Sequence, residues 1–129
     1  MLGRLPAMGS ATADERTRTR VFVLADDLIW SSRLRAAVER AGGRALPIRR
    51  PDEIIAGIAV VDLTARAYDG IAAVRAAASA GATVLAVAQH DDVELRKAAL
   101  AAGAKRVLSY QKLFDDGPGV MARLMEGRL

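Results

Sequence analysis

Three carboxylates close two short apolar runs. Asp26 and Asp27 follow Val21-Phe22-Val23-Leu24-Ala25, and Asp62 ends Ile58-Ala59-Val60-Val61. Runs rich in β-branched residues and flanked by helical patterns read as strands of a parallel sheet, and the C-terminal ends of such strands are where α/β sheets place their sites. Carboxylates gathered there can hold a hard cation through oxygen ligands. Without a cation they raise one another's pKa and favour a proton. Plainer roles compete with this chemistry. One of Asp26 and Asp27 can cap the helix that follows while the other is solvated, and Asp62 can accept backbone N–H bonds at its strand end. Tyr110 either lies over the Asp pocket and hydrogen-bonds into it or is a half-buried strand terminus. His90 is the only histidine and reads as a loop residue, and Trp30 reads as core. There is no Gly-x-Gly-x-x-Gly after the first run to cradle a dinucleotide, and no Ser/His/Asp or Cys/His set to build a hydrolase.

The elements that must position these groups alternate regularly. Strands are predicted over 20–25, 45–48, 58–62, 83–88 and 106–110. After the first strand, Trp30, Leu34, Ala37, Val38 and Ala41 fall at helical spacing with arginines opposite them, and Gly42-Gly43 ends that helix. Pro47 suits the second strand to a sheet edge. Pro51-Asp52-Glu53 starts a helix of one or two turns. Asp69-Gly70 opens a third helix that ends at Gly81. Asp91 and Glu94 form a capping box for a fourth that runs to Gly103. Asp115-Asp116-Gly117-Pro118-Gly119 delays the last helix to Val120–Met125. Five strand-helix units in this order make a three-layer α/β sandwich. Right-handed crossovers favour a five-stranded parallel sheet of flavodoxin-like order 2-1-3-4-5. In that order strands one and three are neighbours, so Asp26, Asp27 and Asp62 meet at one end.

The bulk properties narrow the classes further. At 129 residues the chain has room for one domain, with residues 1–19 expected to be a disordered leader and residues 20–129 the folded unit. Hydrophobic residues make up 52% and aromatics only 4%, so the core must be built from Ala, Val, Leu and Ile. With no cysteine there is no disulfide framework and no thiolate metal site. No apolar run is long enough to span a membrane, and a cytoplasmic location is expected. Half of the net charge of +4 lies in residues 1–20. The isoelectric point of about 10.1 therefore comes without the basic stripe that nucleic-acid modules carry, and a nucleic-acid partner is disfavoured.

Four segments carry a family resemblance. They are Val23-Leu24-Ala25-Asp26-Asp27, Val60-Val61-Asp62-Leu63, the Asp69-Gly70 pair seven residues beyond Asp62, and Ala102-Gly103-Ala104 before the last strand. Over residues 20–126 the chain resembles response-regulator receiver domains. The resemblance implies phosphoryl transfer from a histidine kinase to an aspartate, with Mg²⁺ held by the acidic residues after strand one and by the acceptor. Asp62 takes the acceptor position. Ala25 falls where the first acid usually sits, so a metal set of Asp26, Asp27 and Asp62 needs a one-residue slip. Ala88 stands at the usual Ser/Thr position and Tyr110 at the usual Lys position. Lys112 comes two residues late, and Val107 replaces the switch aromatic. Ala88, Tyr110 and Lys112 are expected to line the pocket.

Without the hydroxyl and the lysine, a phosphoryl group on Asp62 would lose two charge-assisted contacts worth roughly 1.5–3 kcal/mol each. The short second helix and the broken last helix point the same way. The expected function is a non-enzymatic, single-domain receiver-like signalling module that works through protein contacts, independently of phosphorylation. Its partner is a kinase, an effector or a second copy of itself; no cofactor is required, and Mg²⁺ is admissible. A genuine Mg²⁺-dependent phospho-acceptor using Asp62 is the first alternative, and a small-molecule-binding or accessory domain on the same fold is the second.

Overall fold

The structure is a computed structural model that describes residues 17–129. Five strands form one parallel sheet: β1 (Arg20–Leu24), β2 (Arg44–Ile48), β3 (Ile58–Asp62), β4 (Thr83–Ala88) and β5 (Arg106–Ser109). Their order is β2-β1-β3-β4-β5, the expected flavodoxin-like order. Four helices cover it: α1 (Leu28–Arg40), α2 (Gly70–Ser79), α3 (Val93–Ala102) and α4 (Tyr110–Met125). Residues 1–16 of the expected leader lie outside the described residues. Arg18 pairs with Glu39 at 2.7 Å, and the Thr19 carbonyl accepts from Arg44 N at 2.8 Å.

The central strands are apolar without alternation because helices bury both of their faces. On one side, α1 and α4 lay Leu34, Val38, Val120, Met121 and Leu124 on Val21, Val23, Val60, Leu85 and Val87. On the other, α2 and α3 lay Val74, Ala77 and Ala99 on Val61, Val84 and Ala86. The alanines let α2 and α3 approach the sheet and each other. An ideal Cβ on Gly103 would lie 2.6 Å from Ala78 Cβ. Gly103 also ends α3 with φ +117°, in the left-handed region that favours glycine.

Three expectations need correction. The last helix is not delayed to Val120. It starts at Tyr110, because the Ser109 side chain accepts from Lys112 N and caps it. Asp116 (φ −145°, ψ 41°) breaks it into two segments. Pro118 then falls in the first turn of the second segment, where its missing N–H costs no intrahelical bond. Packing of Leu113, Gly117, Val120 and Leu124 outweighs the breakers. Tyr110 accordingly opens a helix instead of ending β5. The cap of α3 is Asp92, which accepts from Leu95 N at 3.1 Å, not Asp91. The element after β2 is a single 3-10 turn at Pro51–Glu53, held by the Glu53 carboxylate accepting from Arg49 N and Arg50 N.

Candidate functional site

The parallel register places Leu24 beside Val61 and Asp62 beside Val87, so the chain leaves β1, β3 and β4 at one end of the sheet. Asp62 is 2% exposed and is the one charged side chain buried among the described residues. A buried carboxylate must be hydrogen-bonded or it is costly. Asp62 Oδ1 accepts from Thr64 N and Thr64 Oγ1, both at 3.0 Å, and from the Tyr110 hydroxyl. The first bond is an Asx turn, a reach of two residues along the chain. Thr64 Oγ1 and the Tyr110 oxygen also lie in contact with each other; with both hydroxyl protons on Asp62, the three side chains form one cluster centred on its carboxylate.

The loop after Asp62 is folded back tightly. Asp69 caps α2 by accepting from Ala72 N at 3.0 Å, and Gly70 rests on the backbone of Leu63. Tyr68 crosses beneath. Its hydroxyl proton is shared between the carbonyls of Leu24 (2.9 Å) and Asp62 (2.8 Å), which ties the ends of β1 and β3 together. The spacing of Asp62 and Asp69-Gly70 is thus the length of a loop that must return onto its own strand.

The two acids after β1 have separate tasks. Asp27 caps α1, accepting from Trp30 N at 2.9 Å. Asp26 Oδ2 accepts from Arg66 N at 2.8 Å and Ala67 N at 2.9 Å. The bonds from Ala67 and Arg66 hold the Asp26 carboxyl below the usual carboxylate range. Asp26, Asp27 and Asp62 line one open cleft of about 570 Å³ with Trp30, Thr64, Arg66, Gln89 and Tyr110. The Tyr110 ring stands against Trp30 with centroids 4.7 Å apart. Two residues expected at the cleft are elsewhere. Ala88 is fully buried at the end of β4, and Lys112 is paired with Asp116 at 3.7 Å along α4. Thr64, Tyr68, Arg66 and Gln89 carry parts that the sequence reading did not assign. Only Thr64 had a local signal, its position two residues beyond an aspartate at a strand end.

One oxygen of each of the three carboxylates is committed to protein donors. The Tyr110 hydroxyl stands on the Asp62 oxygen, and Arg66 supplies a competing cation. Among the described residues no group of three or more His, Cys, Asp and Glu is placed to hold a metal.

Both tyrosines of the chain are in this network, and both phenols are raised well above their ordinary value. Burial is the main cause for each. For Tyr110 the bond to Asp62 adds to it, against a smaller opposing effect of Thr64. For Tyr68 the negative charge of Asp62 adds to it. A raised folded-state pKa means the folded protein holds the proton more tightly. The stabilisation is complete below the free value of about 10 and is lost as pH climbs above it. Tyrosinate absorbance should therefore stay absent through pH 10 and develop only as far-UV circular dichroism collapses. Two phenols titrating near pH 10 in a folded protein would contradict the network.

Comparison with known proteins places the fold. No protein-family model matches the sequence, and no curated protein is similar to it at a significant level. Solved structures do match. The receiver domain of DrrB activated by BeF3 has a TM-score of 0.71 at 15% identity, covering 84% of this chain and 98% of that one. The receiver domain of the Francisella response regulator 1452 gives 0.68 at 16%, covering 87% and 100%. That of the response regulator NarL of Mycobacterium tuberculosis gives 0.70 at 18%, covering 86% and 98%. The chain has the receiver fold.

Proposed function

We propose that this receiver-fold chain is a cytoplasmic signalling module that works by binding another protein and does not depend on phosphorylation of Asp62. The single observation that carries this reading is the Tyr110 hydroxyl bonded to Asp62 Oδ1. In-line transfer needs a carboxylate oxygen within about 3–3.5 Å of the incoming phosphorus; Thr64 and Tyr110 occupy Oδ1, which leaves Oδ2 as the one oxygen such a transfer could use. Tyr110 stands where a cation would neutralise the product. Ala88 brings no hydroxyl to the end of β4. A phosphoryl group would thus gain little in one state of the protein over another, and a ligand shifts a conformational equilibrium only by that difference. The described residues contain no helix long and apolar enough to cross a membrane.

The phospho-acceptor reading keeps one observation in its favour, the placement of Asp26, Asp27 and Asp62 around one cleft. Beryllofluoride-activated DrrB and NtrC4 receiver domains share the fold, and in NtrC4 that state is a dimer. The two readings separate in one titration. With Mg²⁺ and beryllofluoride, or with acetyl phosphate, the amide NMR spectrum should remain that of the free protein. Large shifts spreading from Asp62 through residues 88–114 would make Asp62 an acceptor and end the phosphorylation-independent reading.

A further inference from the structure

A groove runs between α1 and α4 on the outer surface of the sandwich, about 300 Å³ in volume. Its α4 side spans the break at Asp116, with Leu113 and Phe114 before it and Gly117 and Pro118 after it. Where α4 is interrupted, Gly117 comes so close to α1 that an added Cβ would lie 3.1 Å from Ala37 Cβ. The floor is consequently made of small groups, Ala37, Gly117 and the ring of Pro118, while Arg33, Arg40 and Phe114 form the walls.

The walls combine an exposed aromatic ring with two cations. Phe114 is 63% exposed. At the start of α1, in sequence beside Trp30, Leu28 and Ile29 are exposed as well. Arg33 lies over the rings of both Phe114 (4.8 Å) and Trp30 (5.5 Å), which fixes its guanidinium at the groove edge. Neither Arg33 nor Arg40 has a carboxylate partner among the described residues, and the nearby acids are already engaged: Glu39 with Arg18, Asp116 with Lys112 and Arg123, and Asp115 with Gln111.

We propose that the α1–α4 groove docks an acidic amphipathic helix of a partner protein. Its apolar side chains would cover Phe114 and the small-residue floor, and its carboxylates would reach Arg33 and Arg40. A helix suits the site because a floor without bulky side chains admits a neighbouring backbone, and because apolar anchors at helical spacing fit such a groove. Acidic residues suit it because the two arginines are the uncompensated charges on its rim. The proposal names a partner chemistry for the contact module described above. It does not involve the state of Asp62, so a positive beryllofluoride response and a failure of docking are distinguishable outcomes.

The test uses the full chain and a synthetic helical peptide with leucines at every third and fourth position flanked by glutamates. A second peptide has lysine at each glutamate position. Trp30 is the only tryptophan and lies under Arg33, so its emission reports the site directly. Saturable binding of the acidic peptide is expected, with amide shifts confined to residues 28–40 and 110–120, and no binding of the basic peptide. Arg33→Glu combined with Arg40→Glu, both at exposed positions, should weaken the acidic peptide about tenfold or more and give the basic peptide measurable affinity. Equal binding of both peptides, no binding, or shifts centred on another face would overturn the proposal. So would sedimentation showing that the groove is filled by a second copy of the chain.

Discussion

Gly70→Val will leave little folded protein, and Gly70→Ala will lose about 3 kcal/mol in urea unfolding. The cause is local and steric. An ideal Cβ at Gly70 would lie 2.6 Å from the Leu63 carbonyl oxygen and 2.8 Å from Leu63 Cα. Non-bonded carbon contacts settle near 3.5–4.0 Å. These are backbone atoms, so no side chain can swing aside. Either the loop from Leu63 to Asp69 opens or α2 shifts away from the sheet. Opening the loop pulls Tyr68 off the carbonyls of Leu24 and Asp62. Shifting α2 uncovers Val74 and Ala77, both fully buried. A domain of this size has about 5–15 kcal/mol in total, and the branched valine adds a second clash to the first. The control is Gly81→Ala. Gly81 has φ +93° but nothing within 4 Å of an added Cβ, so only its backbone conformation is penalised, by about 1–2 kcal/mol. Equal losses at the two positions would show that crowding against Leu63 is not the cause.

Asp62→Ala should destabilise the protein by about 2 kcal/mol, and the sign is the informative part. In an acidic cluster whose only task is chemistry, removing one carboxylate relieves repulsion and stabilises the fold. Here that relief is small. Asp26 and Asp27 are exposed to water, where such charge interactions are worth about 0.2–1 kcal/mol. Against it stand three donors, Thr64 N, Thr64 Oγ1 and the Tyr110 hydroxyl, bonded to a carboxylate that is 2% exposed. Hydrogen bonds to a charged group contribute roughly 1.5–3 kcal/mol each, of which water at the cleft returns part. Hydrogen bonding wins. Tyr110→Phe removes one of the three donors and should cost about 1.5 kcal/mol. Because the two residues share one network, the double variant should cost less than the sum of the single ones, by about 1 kcal/mol. Chemical denaturation of the four proteins measures all of this. A stabilised Asp62→Ala would mean that the carboxylate is not held by its partners.

The architecture was legible in the sequence because parallel strands buried on both faces leave unbroken apolar runs, such as Thr83–Ala88, whose bounds the structure repeats. Helix ends were legible where a glycine was obligatory, as at Gly103. They were less so where neighbouring residues compete for one task. Asp91 and Asp92 are chemically equal caps, and one residue of helical phase decides between them. The last helix was misread because Gly117, Pro118 and Gly119 are strong local breakers, while the apolar spacing of Leu113, Val120 and Leu124 acts only once a sheet is present to receive it. The site was half legible. Its acids follow from strand ends and strand order, and with them a common cleft. Of the partners of Asp62, Tyr110, 48 residues away in sequence, was one of two readings offered for that residue, because its place after β5 puts it at the same end of the sheet, while Thr64 was not assigned.

Both margins of the sheet are poor templates for another strand. β2 carries Pro47, which has no N–H to offer. β5 has four residues, is preceded by Lys105 and passes directly into α4 at Tyr110. An incoming chain would find an interrupted ladder at one margin and a short, basic one at the other, the features by which native sheets avoid edge-to-edge growth. Concentrated solutions of this protein should therefore resist the cross-strand polymerisation that open parallel sheets invite.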